Sequence, residues 1–290
     1  MLFEKITSRQ NPLVKRFRKV RSGVERHHVL IEGIRLVEEA IESGVHFECV
    51  AFTSELDSTE RGRVLSQKLQ HVPCRGAFLT NQLLDYIADT ETPQGVVATV
   101  TRPVFALDDV FARAPQLIVI ADNLQDPGNL GTIARTAEAA GASGLITTPG
   151  TVNPYAAKAV RASMGSAFRL PLVPGVKLSD LAPMLKDTGI KVVVAEAPST
   201  MRSKEAFQSK PFVSADMAGP TAIVLGGEAA GPSEKAVGIA DEIVYVPMAP
   251  GVESLNVSVA AAVLLYEAAR QRGFAFRDNI AVPEPVAPDF

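Results

Sequence analysis

The sequence predicts a two-part α/β protein. A smaller α/β domain spans residues 1–100, a linker 101–115, and a larger domain 116–273 is built on a parallel sheet with helices on both faces. Three observations carry this. Short apolar runs alternate with helical stretches along most of the chain, the pattern of strands joined by crossover helices. The run Leu117–Ala121 is continuously apolar up to Asp122, as a strand buried on both faces is. Between the halves, Thr101–Pro115 holds Arg102-Pro103 and Ala114-Pro115 and has no clear period.

In the first domain, Pro12–Arg21 reads as an amphipathic helix and His27–Glu32 as a strand. Leu36, Val37, Ala40 and Ile41 form a helical stripe within Gly33–Ser43, closed by Gly44. Val45–Thr53 is strand-like, Thr59–Gln70 and Asn81–Ala88 are helical, and Gly95–Val100 is a last strand. The second domain reads as strand 117–121, helix 129–140, strand 144–148, helix 153–163, strand 170–173 and helix 178–187. Strands at 191–196, 221–226 and 243–248 and a helix at 256–272 follow, and 274–290, with Pro283, Pro285 and Pro288, reads as a flexible tail. Periodicity alone suggests a Rossmann-type sheet with its ligand at the carboxyl ends of the strands.

With 47% hydrophobic and 21% charged residues, the composition is that of a soluble globular protein. No apolar stretch approaches the ~18 residues of a membrane span. The start lacks the apolar core of a secretory signal, and Cys49 and Cys74 are too few for a disulfide framework or a tetrahedral zinc site. A cytoplasmic, metal-free protein with reduced cysteines is expected. The net charge of −3 is unevenly spread: residues 1–35 carry nine Lys or Arg against three acids, leaving +6 there and −9 in the remainder. Arg9, Lys15, Arg16, Arg18, Lys19 and Arg35 are therefore candidate contacts to the phosphates of a nucleic acid. A solvated helix over Pro12–Arg21 explains the same charges, and charge alone does not separate the two.

Three segments carry candidate chemistry. In ADNLQDPGNLGTIARTAEAAG (Ala121–Gly141), Asp126-Pro127-Gly128 makes a turn, Asn129 opens a helix, and Arg135 stands among Gly131, Thr132 and Ala139 with room to reach a ligand. The bland alternative pairs Arg135 with Glu138 at i,i+3. In AIVLGGEAAGPS (Ala222–Ser233), a β-rich run ends at Gly226-Gly227, followed by Glu228 and a second turn at Gly231; these glycines permit close backbone approach to a flat ligand. In VPMAPGVESLNVSVAAAVLLYEAARQR (Val246–Arg272), a Pro/Gly loop delivers Glu253-Ser254-Leu255-Asn256 to the first turn of an Ala-rich helix, whose free amides suit a pocket. The ordinary alternative there is a helix capped by Ser254 or Asn256.

Together and in this order, the three segments resemble the motifs of the SpoU (TrmH-like) RNA ribose 2′-O-methyltransferases of the SPOUT superfamily. The resemblance covers roughly the last 170 residues. The first hundred, through LIEGIRLVEEAI and TPQGVVATV, resemble the L30e-like substrate-binding domain often fused to that catalytic domain. The resemblance implies a deep trefoil knot in which the segments around Gly226 and Leu255 thread past one another, against the general rule of unknotted chains. It also implies S-adenosylmethionine as methyl donor and a homodimer formed through the catalytic domain.

By the same resemblance, Arg135 takes the place of the family's catalytic arginine and Asn129 that of its motif-one asparagine. Glu228 matches the motif-two glutamate, and Ser254 and Asn256 match the motif-three pair. A guanidinium is a poor base, so a grip on the phosphate beside the target ribose and stabilisation of the 2′-oxyanion are expected of Arg135; direct deprotonation stays open. The cofactor is expected among Gly226, Gly227, Gly231, Val246, Met248, Ser254 and Leu255, with Thr148 lining the same cavity. Two departures from the family pattern, Gly227 for Asn and Ala229 for Gly, put the fine geometry of the motif-two loop in question.

A nicotinamide dehydrogenase would need GxGxxG after the first strand, and GNLGTI is not that pattern. A catalytically inactive RNA-binding module would not need Asn129, Arg135, Glu228 and Asn256 together. Ribosomal RNA is the expected target, and transfer RNA or an antibiotic-resistance role on ribosomal RNA are the alternatives.

Overall fold

Asn11 caps the first long helix by accepting from the Leu13 amide, Pro12 sits at its first position, and Arg18, Lys19 and Arg21 in its last turn oppose the helix dipole. The helix forms as predicted but is not a free arm, because Leu13, Val14, Phe17 and Val20 are buried. The computed structural model describes residues 3–114, 116–197, 209–228 and 230–275. These form two units, one of residues 3–104 with Tyr155–Phe168, the other of residues 105–154 with 169–275.

The first unit runs β1 (Phe3–Ile6), α1 (Pro12–Arg21), β2 (His28–Glu32), α2 (Ile34–Glu42), β3 (Phe47–Phe52), α3 (Glu60–Leu69), β4 (Arg75–Leu79), α4 (Asn81–Ile87) and β5 (Val96–Thr101). Its sheet has the order β1-β4-β3-β5-β2. β1, β4 and β3 are mutually parallel, whereas β5 is antiparallel to both its neighbours. The core joins Leu13, Phe17, Leu30, Cys49, Leu84, Ile87 and Val97, among others. β1 and β4 were not foreseen. Each is short, and they pair across some seventy residues of chain, which no local pattern reveals.

The second unit begins inside the expected linker. Residues 105–111 supply Phe105 and the helix α5 (Leu107–Phe111), whose Val110 is fully buried in the core of this unit. Then come β6 (Leu117–Asp122), α6 (Pro127–Ala139), β7 (Gly144–Thr147), α7 (Ala157–Ser163), α8 (Ser166–Arg169), β8 (Leu172–Val173), α9 (Leu178–Asp187) and β9 (Lys191–Ala195). β10 (Lys210–Pro211), β11 (Thr221–Gly226), α10 (Glu234–Gly238), β12 (Glu242–Tyr245) and α11 (Val257–Gln271) complete the described residues. Helix α7 departs from the expected partition, since it packs on β2 and belongs with the first unit. Its burial of Ala159 and Val160 is a tertiary choice that its sequence does not announce.

The larger sheet is parallel throughout, in the order β10-β12-β9-β11-β6-β7-β8. Central strands β6 and β11 are buried along their full length, as their unbroken apolar runs required. The strand at 170–173 shortens to Leu172–Val173 because residues 166–169 are helical. β12 stops at Tyr245, so Val246 and Met248 lie in the loop beyond it. Parallel strands put their carboxyl ends, and the loops leaving β6, β9, β11 and β12, along one edge. The tail expected at 274–290 lies outside the described residues from 276 onward, as does the altered motif-two position Ala229.

Candidate active site

At that edge lies a cavity of about 440 Å³, within the ~300–1,000 Å³ typical of small-molecule sites. Leu225, Val244, Val246, Leu255 and Leu264 give it apolar walls, and Glu196, Glu228, Glu253, Ser254 and Asn256 its polar ones. Seven of the eight expected cofactor positions line it: Gly226, Gly227, Gly231, Val246, Met248, Ser254 and Leu255. Thr148 does not. Its buried hydroxyl donates to Asp122 Oδ1 at 2.9 Å and accepts from the Asn123 amide at 3.2 Å. It directly follows β7, which ends at Thr147 and not at 148, and its side chain serves the framework.

Asp122 itself was read only as a strand terminus. It is 4% exposed, and its second oxygen accepts from the Ser233 amide at 2.9 Å. One buried carboxylate thus ties the ends of β6 and β7 to the chain leaving the motif-two loop. That loop closes on itself, with the Gly231 amide donating to the Gly227 carbonyl at 2.9 Å. A Cβ on Gly226 would lie 2.0 Å from Pro232 N, and one on Gly227 would lie 2.8 Å from the Asn123 carbonyl oxygen. The glycines expected to admit a ligand therefore also let the chain approach itself.

The three motifs meet in one hydrogen-bonded chain. Asn256 Nδ2 donates to Asn129 Oδ1 at 3.1 Å, and Asn129 Nδ2 donates to Glu228 Oε1 at 2.9 Å. Asn256 also caps α11, its Oδ1 accepting from the Ser258 amide at 2.9 Å and from the Ser258 hydroxyl at 2.6 Å. Asn129 does not open α6. Asp126 is the cap, accepting from the Asn129 amide at 2.8 Å, with Pro127 at the first helical position. Burial pushes the Glu228 carboxyl up, but the Asn129 side chain and the backbone amides of Glu228, Gln125 and Asp126 outweigh it and hold the group below its ordinary value. Glu228 is thus ionised at neutral pH and accepts only, which fixes the direction of the chain. Asn129 and Asn256 each keep one side-chain N–H beyond these bonds.

Arg135 is exposed on α6 and is not a lining residue. Its suggested partner is engaged elsewhere, since Glu138 takes a bidentate pair from Arg169 at 2.7 and 2.9 Å. Among the described residues Arg135 makes no ion pair, which leaves its fork of donors free for an anion. The basic residues of the first unit divide. Arg16 is bound to Glu48 and lies 3.8 Å from Glu25, whereas Lys15, Lys19 and Arg35 are exposed and make no such pairs among the described residues; Arg9 and Arg18 lie over the Tyr86 ring.

The model of the SpoU rRNA Methylase family matches residues 116–266, and that of an MRM3-like substrate binding domain matches residues 11–98. The chain belongs to the SpoU rRNA methylase family. An uncharacterized tRNA/rRNA methyltransferase of Synechocystis is 35% identical, over 92% of this chain and 94% of its own. The 23S rRNA (guanosine(2553)-2′-O)-methyltransferase RlmP of Bacillus subtilis is 33% identical, over 91% of this chain and 98% of its own. The SpoU methyltransferase AviRb of Streptomyces viridochromogenes, solved with AdoMet, superposes with a TM-score of 0.78 at 28% identity, over 92% of this chain and all of that one.

This SpoU protein is an S-adenosylmethionine-dependent RNA methyltransferase. The cavity's residues fit that cofactor. Its apolar walls suit an adenine ring. Glu196, Glu228 and Glu253 suit the sulfonium and ammonium charges and the ribose hydroxyls, and no described lining residue is Lys or Arg. Glu196 and Pro232 are lining residues that the sequence does not single out, although the end of β9 is a visible clue to the first. Among the described residues no cluster of three or more His, Cys, Asp or Glu could hold a metal ion, and no helix is long and apolar enough to cross a membrane.

Proposed function

We propose that Arg135, Asn129, Glu228, Ser254 and Asn256 direct this methyl transfer onto a ribose 2′-hydroxyl of ribosomal RNA. The observation that carries the reading is the Asn256–Asn129–Glu228 chain, which joins one side chain from each motif, Asn129 bridging the cavity-lining Asn256 and Glu228. Bound S-adenosylmethionine supplies an electrophilic methyl group; the protein supplies alignment, and orientation alone can contribute ~7–11 kcal/mol. Gly226, Val246 and Leu255 hold the adenine with backbone groups. The spare N–H groups of Asn129 and Asn256 orient the hydroxyl oxygen. Arg135 grips the adjacent phosphate and stabilises negative charge on the 2′-oxygen as its proton passes to water.

The substrate-binding match over residues 11–98 and relatives named for ribosomal RNA support that target. A cytoplasmic location accords with such a substrate. We assign the loops around Gly226 and Leu255 to a trefoil knot on family membership. A homodimer through α11 is supported by its outward stripe, where Val259 is 48% and Tyr266 45% exposed, with Ala262 and Val263 half-buried between them. Leu265 and Ala269 of the same helix are buried within the chain.

The decisive experiment maps 2′-O-methylation in ribosomal RNA from cells with and without the gene. Loss of one methylated ribose, restored by the wild-type gene and not by Arg135→Ala, is expected. An unchanged ribosomal RNA pattern rejects the target. For the dimer, sedimentation at micromolar concentration should give twice the 30.8 kDa chain mass, and a 30.8 kDa species alone rejects it.

A further inference from the structure

On the first unit, four arginines from three separate segments gather at the end of α4. The guanidinium carbons of Arg9 and Arg18 each lie 4.5 Å from the centre of the Tyr86 ring, and Arg18 also donates to the Tyr86 hydroxyl. Arg21, one turn further along α1, donates to the Tyr86 carbonyl at 3.5 Å and lies 3.8 Å from Asp89 Oδ1. Arg161, from α7, donates to Asp89 Oδ2 at 3.2 Å. Among the described residues, only Arg21 and Arg161 of these four make ion pairs, and both pairs go to this one carboxylate.

The cluster is built rather than incidental. Glu32, 7% exposed, accepts from the Asp89 amide at 2.7 Å, the Thr90 amide at 3.3 Å and the Thr90 hydroxyl. A buried carboxylate thus fixes the loop that carries Asp89, and Asp89 in turn orients Arg21 and Arg161. Gathering four like charges against one carboxylate is unfavourable by itself, and the stack on Tyr86 offsets only part of it. The excess is relieved when an anion binds. Planar guanidiniums with donors to spare match phosphate oxygens in particular, and a polyanion engages several at once.

We propose that Arg9, Arg18, Arg21 and Arg161, organised by Tyr86 and Asp89, form the phosphate-binding site through which the first unit grips the RNA backbone. The inference rests on RNA being the substrate. It gives a role to α7, which comes from the middle of the SpoU match yet packs with the first unit.

The test uses the full-length protein and protein-free 23S ribosomal RNA, with binding measured across a salt series. Arg18→Gln and Arg161→Gln should each weaken binding about 3–10-fold near 0.15 M salt and reduce the slope of log K against log salt by about 0.7–0.9. Arg75→Gln removes an equally positive side chain, 73% exposed on the same unit, and should change neither by as much. Thermal unfolding checks that the variants fold, and calorimetry should show unchanged S-adenosylmethionine affinity. Wild-type slopes in both cluster variants, or an equal loss in Arg75→Gln, overturn the site. If those variants bind as wild type while the wild-type protein still methylates RNA, the cluster fails and the RNA reading stands, leaving the arginines for an acidic protein surface. If the wild-type protein neither binds nor methylates RNA, both fall.

Discussion

Around the cavity the described side chains include three carboxylates and no basic group, whereas on the first unit four guanidiniums gather where one carboxylate, Asp89, pairs with two of them and the Tyr86 ring carries the other two. Each region suits a different half of the reaction. A methyl donor carrying a sulfonium is best held among carboxylates, and a polyanionic substrate among arginines. Arg135 belongs to the catalytic unit in sequence but to the arginine cluster in character, being exposed and unpaired among the described residues.

The comparison is broken most severely at Arg135. Arg135→Ala should lower kcat by about 10²–10³-fold with S-adenosylmethionine affinity nearly unchanged. Arg135→Lys should fail in the same direction, because an ammonium lacks the bidentate fork. Single-turnover methyl transfer checks both, and retention of most activity by either would remove Arg135 from the chemistry.

Next in size is Gly226→Ala, which attacks the cavity by way of the framework. The new Cβ would lie 2.0 Å from Pro232 N, inside backbone that cannot yield cheaply. Overpacking of this kind costs about 1–3 kcal/mol, and calorimetry should also show weakened cofactor binding. An unchanged melting temperature and affinity would mean that the loop has slack.

Glu228→Gln sharpens the comparison through pH. The folded carboxyl sits below its ordinary 4.5, so its contribution to stability is fully present above that value and is lost as pH falls through the lower folded one. Urea unfolding should separate wild type from Glu228→Gln at neutral pH, and the gap should close below 4.5. A gap that widens on acidification would contradict the carboxylate's hydrogen bonds.

The smallest effect is expected at Arg16. Its partners Glu25 and Glu48 already neutralise it, and such half-exposed pairs contribute about 0–1 kcal/mol. Arg16→Gln should leave the salt dependence of RNA binding where it was. A loss as large as that of Arg18→Gln would show that charge on α1 acts as a general field and not as a site.

Much of this molecule was legible in the sequence. The unbroken apolar run of β6, the stripe of α2, and the turn residues ahead of α6 and α11 are local signals, and local signals dictate where strands and helices form. The motif residues Gly226, Glu228, Ser254, Leu255 and Asn256 were likewise readable as a set, and they do line one cavity. Tertiary structure alone decided which side chains meet. It turned Thr148 inward to Asp122, joined Asn256 to Asn129 across 127 positions, and paired Glu138 with Arg169 in place of Arg135. It also drew Arg161 into a cluster with residues near the start of the chain. The physical reason is the same in each case. Periodicity and capping act over a few residues and fix the backbone, whereas a hydrogen bond or ion pair depends on separations of about 3 Å that only the packed sheet and its covering helices establish.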